Sequence, residues 1–140
     1  MPVASFNKFN SFVEALAEKV HNLGADSLKV YLTATAPNAS TMTKKADLAE
    51  IAAGGGYTGP VVAPFTSSAQ TGGVYKLILG DVVITATGAV PAFQYVVLFN
   101  DTATNKELIG SWDNGSAVSL TAGQSFTVDY DSGTGVIQLQ

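Results

Sequence analysis

The sequence contains no cysteine and no arginine. The missing cysteine excludes disulfide bonds, thiolate metal sites and cysteine nucleophiles. All 7 basic residues are lysines and stand against 11 acidic residues, so the formal net charge is -4. A protein that binds nucleic acid needs a basic surface, usually rich in arginine, to displace counterions from the phosphates. We therefore expect no nucleic-acid partner.

Charged residues and long hydrophobic runs are also scarce. Charged residues make up 13% of the chain and hydrophobic residues 46%, against about 25% charged residues in typical globular proteins. This composition excludes intrinsic disorder and indicates apolar surface that a partner covers, which favours a small homo-oligomer. The longest apolar run, residues 95–99, is far shorter than the roughly 20 residues that cross a bilayer. The first residues lack a secretory pattern, so we expect no membrane contact and synthesis in the cytoplasm.

One segment near the start has the spacing of an amphipathic helix. Ser11 and Glu14 match the capping-box pattern, although the apolar stripe begins earlier, and Gly24 is typical of a C-terminal cap. The pattern predicts a helix over about residues 7–23. Apolar residues recur there at three- and four-residue intervals: Phe9, Phe12, Val13, Leu16, Val20 and Leu23.

From about residue 27 onward the chain reads as β-structure. Residues 28–34 alternate between apolar and polar side chains, as a half-buried strand does, and residues 93–99 are apolar enough for a central strand covered on both faces. Asn114-Gly115 predicts a type I′ hairpin turn. Further strands are predicted at residues 57–67, 74–79, 82–87, 107–112, 117–120, 125–130 and 135–139.

Short strands at this spacing predict a fold class. Several strands that recur about every ten residues, separated by turn-forming residues, are typical of a β-sandwich or jelly roll. We therefore predict a mainly β protein with a single domain over residues 1–140. Its amphipathic helix spans about residues 7–23, and its β-sandwich spans about residues 27–140.

The sequence offers little material for catalysis or metal binding. His21 is the only histidine, and it falls on the polar side of the predicted helix, where an ion pair with Glu18 accounts for it. Asp129 and Asp131 form a carboxylate pair, which we interpret as solvated surface rather than as an acid–base pair or a calcium site. We predict that the protein is not an enzyme and has no catalytic residues, no cofactor and no metal.

Aromatic residues are the remaining candidates for ligand contact. In a β-domain such side chains usually fill the core and its rim, and we interpret them so here. A carbohydrate-binding adhesion module remains an alternative, in which some of them form a sugar platform. The residues concerned are Tyr31, Tyr57, Tyr75, Tyr95, Trp112 and Tyr130.

Four stretches of the sequence resemble small virion structural proteins of tailed bacteriophages. They are residues 6–26 (FNKFNSFVEALAEKVHNLGAD), 93–105 (FQYVVLFNDTATN), 108–113 (LIGSWD) and 120–129 (LTAGQSFTVD). Among such proteins, the chain is most similar to β-sandwich capsid decoration, or cement, proteins. The resemblance implies a protein that binds and stabilises the assembled shell through surface contacts, as a dimer or trimer.

The resemblance also implies partners and a location. We expect the major capsid protein or other virion proteins as partners, and a place in the virion after synthesis in the host cytoplasm. A tail, neck or spike component of the virion is the alternative within the same class. No family binding residue transfers to this sequence, because no functional motif is available to match.

One segment is a candidate for contact with such a partner. It follows three consecutive glycines and is interrupted by prolines, which hold the chain extended and lower the entropy lost on binding. We therefore consider it as an extended arm laid along a neighbouring protein, with an ordinary edge strand as the alternative. Its residues are Gly59, Pro60, Val61, Val62, Pro64 and Phe65.

Overall fold

The structure is a computed structural model and describes residues 4–140. Residues 1–3, which belong to the segment without a secretory pattern, lie outside the described residues. The described part contains one α-helix and several short and long strands. In chain order they are β1 (Asn7–Lys8), α1 (Ser11–Ala17), β2 (Leu28–Thr33), β3 (Val61–Val62), β4 (Phe65–Thr71), β5 (Val74–Leu79), β6 (Val82–Thr85), β7 (Val90–Asn100), β8 (Leu108–Leu120), β9 (Ser125–Val128) and β10 (Ile137–Leu139).

The strands form three antiparallel sheets. The largest has the order β1-β8-β7-β2-β3, the second β10-β5-β4, and the third pairs β6 with β9. One hydrophobic core joins all three, because Leu98 of the large sheet, Leu77 of the second and Phe126 of the third belong to one buried cluster. The two smaller sheets therefore cover one face of the large sheet. The predicted mainly β fold with a single helix is confirmed.

A second, smaller core covers the opposite face of the large sheet. The segment between β2 and β3 packs there, and the Tyr31 hydroxyl donates a hydrogen bond of 3.0 Å to the carbonyl oxygen of Leu48. Strand β7 is consequently buried on both faces, as its composition predicted: Val97 faces the small core and Val96 the main core. The small core consists of Phe9, Tyr31, Leu48, Val97, Phe99 and Leu108.

The helix begins later than predicted. Helix α1 starts at Ser11, because Asn7 and Lys8 pair with Ser111 and Gly110 of β8 and so form a strand. The amide of Phe9 continues this attachment by donating to the carbonyl of Ile109 at 3.0 Å. Backbone groups committed to a neighbouring strand cannot form the hydrogen bonds of a helix. The first part of the predicted range 7–23 is therefore wrong.

The helix also ends earlier than predicted, at Ala17 rather than near Gly24. The Lys19 amide donates to the Leu16 carbonyl at 3.3 Å, and the Val20 amide donates to the carbonyl five residues earlier at 2.8 Å. This pair of bonds is a Schellman motif, which requires a left-handed residue after the helix. Lys19 takes that position with a φ of 67°, so the chain turns away before it reaches Gly24.

The predicted hairpin turn at Asn114-Gly115 is absent. Strand β8 runs continuously from Leu108 to Leu120, and the residues between Asp113 and Val118 bulge out opposite β7. The Asp113 carboxylate accepts a hydrogen bond of 2.7 Å from the Gly115 amide and stabilises the bulge. Residues typical of a turn therefore form a bulge, because β8 pairs with β7 both before and after them and the strand continues.

Candidate functional site

The segment predicted as a partner contact lies at one edge of the large sheet. Val61 and Val62 form β3 and pair with Val30 and Lys29 of β2. The chain is also held just after this strand, where the Ala63 amide donates to the Leu28 carbonyl at 2.9 Å. These backbone bonds make the segment an edge strand, the alternative to a free arm.

The side chains of this segment differ in exposure. Ala63 is buried and Val61 is partly buried against the main core, whereas Val62 and Phe65 each keep more than half of their surface exposed. Pro60 and Pro64 are exposed beside them, and Gly59 is partly exposed. The segment thus presents two large apolar side chains at an edge of the fold. Its contact with a partner stays a prediction.

A second apolar surface lies where helix α1 passes strand β10. Val13 on the helix is 55% exposed, and Val20 after the helix and Leu139 on β10 are exposed as well. Leu16 is partly buried against the main core beneath them. We call these four residues the helix–strand surface.

Two clefts flank this surface. One of about 320 Å³ is lined mainly by apolar residues that include Phe6, Val13 and Ile137. The other, of about 540 Å³, is lined by Val20 and further residues of the segment that follows the helix, and by Ser68 on β4 and Tyr75 on β5. Both clefts are bounded by Leu16 and Leu139. Exposed apolar side chains beside clefts are typical of protein–protein contact sites, because side chains of the partner can fill the clefts.

The exposure of Val13 and Val20 follows from the shape of the helix. In a helix Val13 lies about 100° around the axis from Phe12, and Phe12 is the helix residue that is buried in the core. Val20 lies beyond the Schellman turn and no longer continues the stripe. The sequence pattern counted both valines with the apolar stripe, but the fold leaves them at the surface.

His21 is buried and does not lie on a polar helix face. Only 4% of its surface is exposed, and its ring packs 5.3 Å from that of Phe12. The Asn100 side-chain amide donates to His21 Nδ1 at 3.0 Å and to Asp26 Oδ2 at 2.6 Å. The predicted ion pair with Glu18 is wrong, because the chain leaves the helix before His21 and turns this ring inward. We call His21, Asp26 and Asn100 the His21 cluster.

The hydrogen bonds of Asn100 determine the protonation of His21. Asn100 Oδ1 accepts bonds from the amides of Thr102 and Ala103 at 3.0 and 3.1 Å, so its NH₂ group must be the one that faces the imidazole. His21 Nδ1 is therefore an acceptor, and the neutral ring carries its proton on Nε2. Burial lowers the pKa of His21, while the carboxylates of Glu107 and Asp26 act in the opposite direction. This cluster ties the segment after α1 to the end of β7.

The aromatic candidates for a sugar platform are mostly interior residues. Tyr31, Tyr57, Trp112 and Tyr130 are buried. The Tyr57 hydroxyl donates to Glu50 Oε2 at 2.6 Å and accepts a bond from a backbone amide, and burial raises its pKa. These four side chains serve the core, as the interpretation from sequence has it.

The remaining polar candidates lie on the surface. Asp129 and Asp131 are exposed, and Asp131 Oδ1 accepts the amides of Gly133 and Thr134 at 2.7 and 3.0 Å. These bonds hold the pKa of Asp131 below its usual range. Within residues 4–140 no three side chains of His, Asp or Glu come close enough to hold a metal ion. In the same range no helix has the length and apolar character needed to cross a membrane.

Comparison of the chain with protein-family models, with curated proteins and with solved structures returned no match. The candidate site therefore rests on the geometry of this chain. Sequence reasoning identified Val62 and Phe65 but missed the helix–strand surface. Helical spacing gave no signal for it, because Val13 shares the predicted stripe with the buried Phe12 and Val20 lies beyond the end of the helix.

Proposed function

We propose that this protein is a bacteriophage virion structural protein, a capsid decoration or cement protein. In this proposal it is not an enzyme but binds the major capsid protein on the assembled shell. The sequence resemblance supplies the class of particle. The exposed helix–strand surface supports the mode of action, because it offers apolar contact area to a protein neighbour.

The energetics of such contacts suit a stabilising protein. Burial of apolar surface contributes about 25 cal/mol per Å², so several hundred Å² per contact contribute on the order of 10 kcal/mol before association costs are subtracted. An oligomer that touches several shell subunits gains further, since each contact raises the effective concentration of the next. Many copies of a small domain can therefore reinforce a shell without any chemical step.

Copy number in purified virions tests the proposal directly. Quantitative mass spectrometry of the particle is expected to find on the order of hundreds of copies, as a protein of the shell requires. About six or twelve copies would instead indicate the alternative of a tail, neck or spike component. Absence of the chain from mature virions would overturn the proposal.

Val13→Asp tests whether the helix–strand surface makes the contact. We expect particle occupancy to fall at least tenfold, because a carboxylate at the centre of an apolar interface loses its hydration. An acidic residue in the first turn of a helix is favourable, so the fold is retained. The readout is co-sedimentation of purified variant with particles stripped of the protein, and circular dichroism checks the fold.

Val83→Asp is the matched control for this experiment. Val83 lies on β6 and is 58% exposed, much as Val13 is, and it lines neither cleft. Occupancy is expected to stay within about twofold of the unsubstituted protein. If both aspartates reduce binding equally, or neither does, the helix–strand surface is not the contact.

A further inference from the structure

Strand β4 forms an unprotected sheet edge. It is the last strand of the order β10-β5-β4, and on its far side no strand of residues 4–140 pairs with it. Proteins usually protect such edges with charged residues, prolines or bulges. Here Pro64 and a bulge between Phe65 and Ser67 affect only the start of the strand. Residues 67–71 remain a regular edge with unpaired backbone groups.

This edge belongs to a long stretch without charge. Residues 51–75 contain no Asp, Glu, Lys, Arg or His, and residues 67–71 read Ser-Ser-Ala-Gln-Thr. We call residues 51–75 the charge-free segment. Like charges placed opposite each other across a strand pair are destabilising, but two copies of this edge can meet without any such pair. The chemistry of the edge therefore fits a second copy of itself.

The turn that follows β4 shows which backbone groups are unpaired. Gly72 and Gly73 both have positive φ, 59° and 83°, as in a two-residue type I′ turn. Such a turn is closed by a hydrogen bond between Thr71 and Val74. Since hydrogen-bonded pairs alternate along an antiparallel ladder, Ala69 directs its backbone groups to β5. Ser68 and Gln70 direct theirs to the open edge.

We propose that two copies of this chain associate by antiparallel pairing of β4, with Ala69 on the two-fold axis. Ser68 of each copy then lies opposite Gln70 of the other, and both residues have their backbone groups turned outward. Ser67 lies opposite Thr71 of the other copy, and cross-strand pairs of hydroxyl side chains stabilise the pairing of two strands. The pairing joins two three-stranded sheets into one continuous sheet. The dimer supplies an oligomer of the kind that the proposed function uses, and its role, but not its geometry, rests on that function.

The loop of residues 19–24 lies beside the Ser68 side chain on one face of β4, and Ala69 points to the other face. Lys76 pairs with Ala69 within one copy and is the nearest charged residue in sequence. In the dimer, Lys76 and its symmetry mate lie three strand spacings apart, about 14 Å, which exceeds the Debye length of about 8 Å at physiological salt. Phe65, exposed just before the regular edge, comes near the Gly72-Gly73 turn of the other copy, which carries no side chains.

The size of the contact sets its strength. Five residues from each copy are fewer than the roughly 20–30 residues per partner of a stable interface. We therefore expect a weak dimer in dilute solution, which becomes populated at the high local concentration of a particle surface. The isolated protein must accordingly be studied at high concentration or with a covalent trap.

Ala69→Cys provides that trap, because the chain has no other cysteine. On the two-fold axis, the two Cα atoms of this non-hydrogen-bonded pair lie about 4.5 Å apart, within the range of a disulfide. Mild oxidation of concentrated protein is expected to give a cross-linked dimer at least tenfold faster than oxidation of Ala122→Cys, a control at the exposed β8–β9 turn. Equal rates for the two variants would overturn the proposal.

Charge variants at the same position give an independent test. Ala69→Lys places two ammonium groups at the axis and is expected to abolish association in sedimentation velocity, whereas Ala122→Lys leaves it unchanged. An equimolar mixture of Ala69→Lys and Ala69→Glu is expected to associate at least tenfold more tightly than Ala69→Lys alone, because opposite charges then meet. A mixture that behaves like Ala69→Lys contradicts pairing through β4.

The two proposals fail in different ways. If Val13→Asp loses particle binding while Ala69→Cys cross-links no faster than its control, the dimer is wrong and the shell-binding role stands. If Ala69→Cys cross-links rapidly while Val13→Asp retains full occupancy, the dimer stands and the assigned shell contact is wrong.

Discussion

Charge is distributed unevenly between two regions of this molecule. The charge-free segment, residues 51–75, supplies β3, β4 and the glycine turn before them. The region around the His21 cluster instead concentrates ionic groups: Lys29 Nζ lies 2.9 Å from Asp101 Oδ2, and Lys106 Nζ lies 3.3 Å from Asp101 Oδ1. The hydrogen bond from Lys29 and then that from Lys106 lower the pKa of Asp101.

The difference shows two ways in which a segment of chain is held in its folded position. Around the His21 cluster, the segment after α1 meets the end of β7 beside the β2–β7 ladder. Side-chain hydrogen bonds and ion pairs add to the backbone bonds there. In the charge-free segment, close backbone packing and strand pairing hold most of the chain, and the hydroxyl of Tyr57 is bonded to Glu50 just outside it. The polar region is held by side-chain bonds within the chain, whereas the edge of the charge-free segment leaves backbone groups for another molecule.

Asn100→Ala is expected to be the most damaging change in the polar region. It removes four hydrogen bonds of one buried amide, to His21, Asp26, Thr102 and Ala103. Because buried groups that lose their partners cost about 1–3 kcal/mol each, we expect a loss of about 4 kcal/mol in the free energy of unfolding. Chemical denaturation monitored by Trp112 fluorescence measures it.

Asn105→Ala is the control for that prediction. Asn105 is exposed in the same loop and donates a single bond of 3.2 Å to Glu107, so we expect a change within about 0.5 kcal/mol. A similar small effect for Asn100→Ala would contradict the view that side chains hold these loops together.

Gly55→Ala is expected to be the most damaging small change in the charge-free segment. Gly55 has a φ of 58°, and a Cβ atom there would lie 2.3 Å from the carbonyl oxygen of Ala89. Since the obstacle is backbone, the turn must move, and we expect a loss of about 3 kcal/mol. For a protein of this size, that corresponds to about 10 °C in melting temperature, which calorimetry resolves.

The neighbouring Gly54→Ala provides the matched control. A Cβ at Gly54 meets nothing within 4 Å, so the substitution is expected to be neutral or to stabilise slightly by restricting the unfolded chain. Equal losses for the two variants would show that loss of glycine flexibility, rather than backbone contact, fixes this region.

Local sequence patterns predicted correctly those strands whose burial and bounds depend on their own residues. Strand Val74–Leu79 was predicted with the observed bounds, and the burial of β7 on both faces followed from its composition. Asn114-Gly115 misled because pairing with β7 continues across it. Lys19 carries no signal for a left-handed cap, since only its surroundings force that conformation.

The candidate sites divide in the same way. Pro60, Val62 and Phe65 could be identified because prolines interrupt an apolar run, which is typical of an edge. The inward position of His21 depends on Asn100, 79 residues away, and no local pattern reports such a contact. The exposure of Val13 depends likewise on where β10 packs.

The pH dependence of stability gives the smallest expected effect and isolates one member of the polar region. Burial lowers the pKa of His21 from 6.5 in the folded protein, and protonation of Nδ1 would oppose the Asn100 donor. Above about pH 6.5 neither the folded nor the unfolded chain is protonated there. Below it the unfolded chain binds a proton first, so stability falls as the pH decreases.

We expect the free energy of unfolding, measured by urea denaturation, to decrease as the pH falls from 6.5 to 5.5. His21→Gln should remove this slope, because its side-chain oxygen accepts the Asn100 hydrogen bond but does not titrate. Carboxylates with a lowered pKa, such as Asp101 and Asp131, lose their contribution only as the pH falls below about 4, outside this interval. Since His21 is the only histidine, an unchanged slope in His21→Gln would show that the His21 cluster holds the loops without depending on a neutral imidazole.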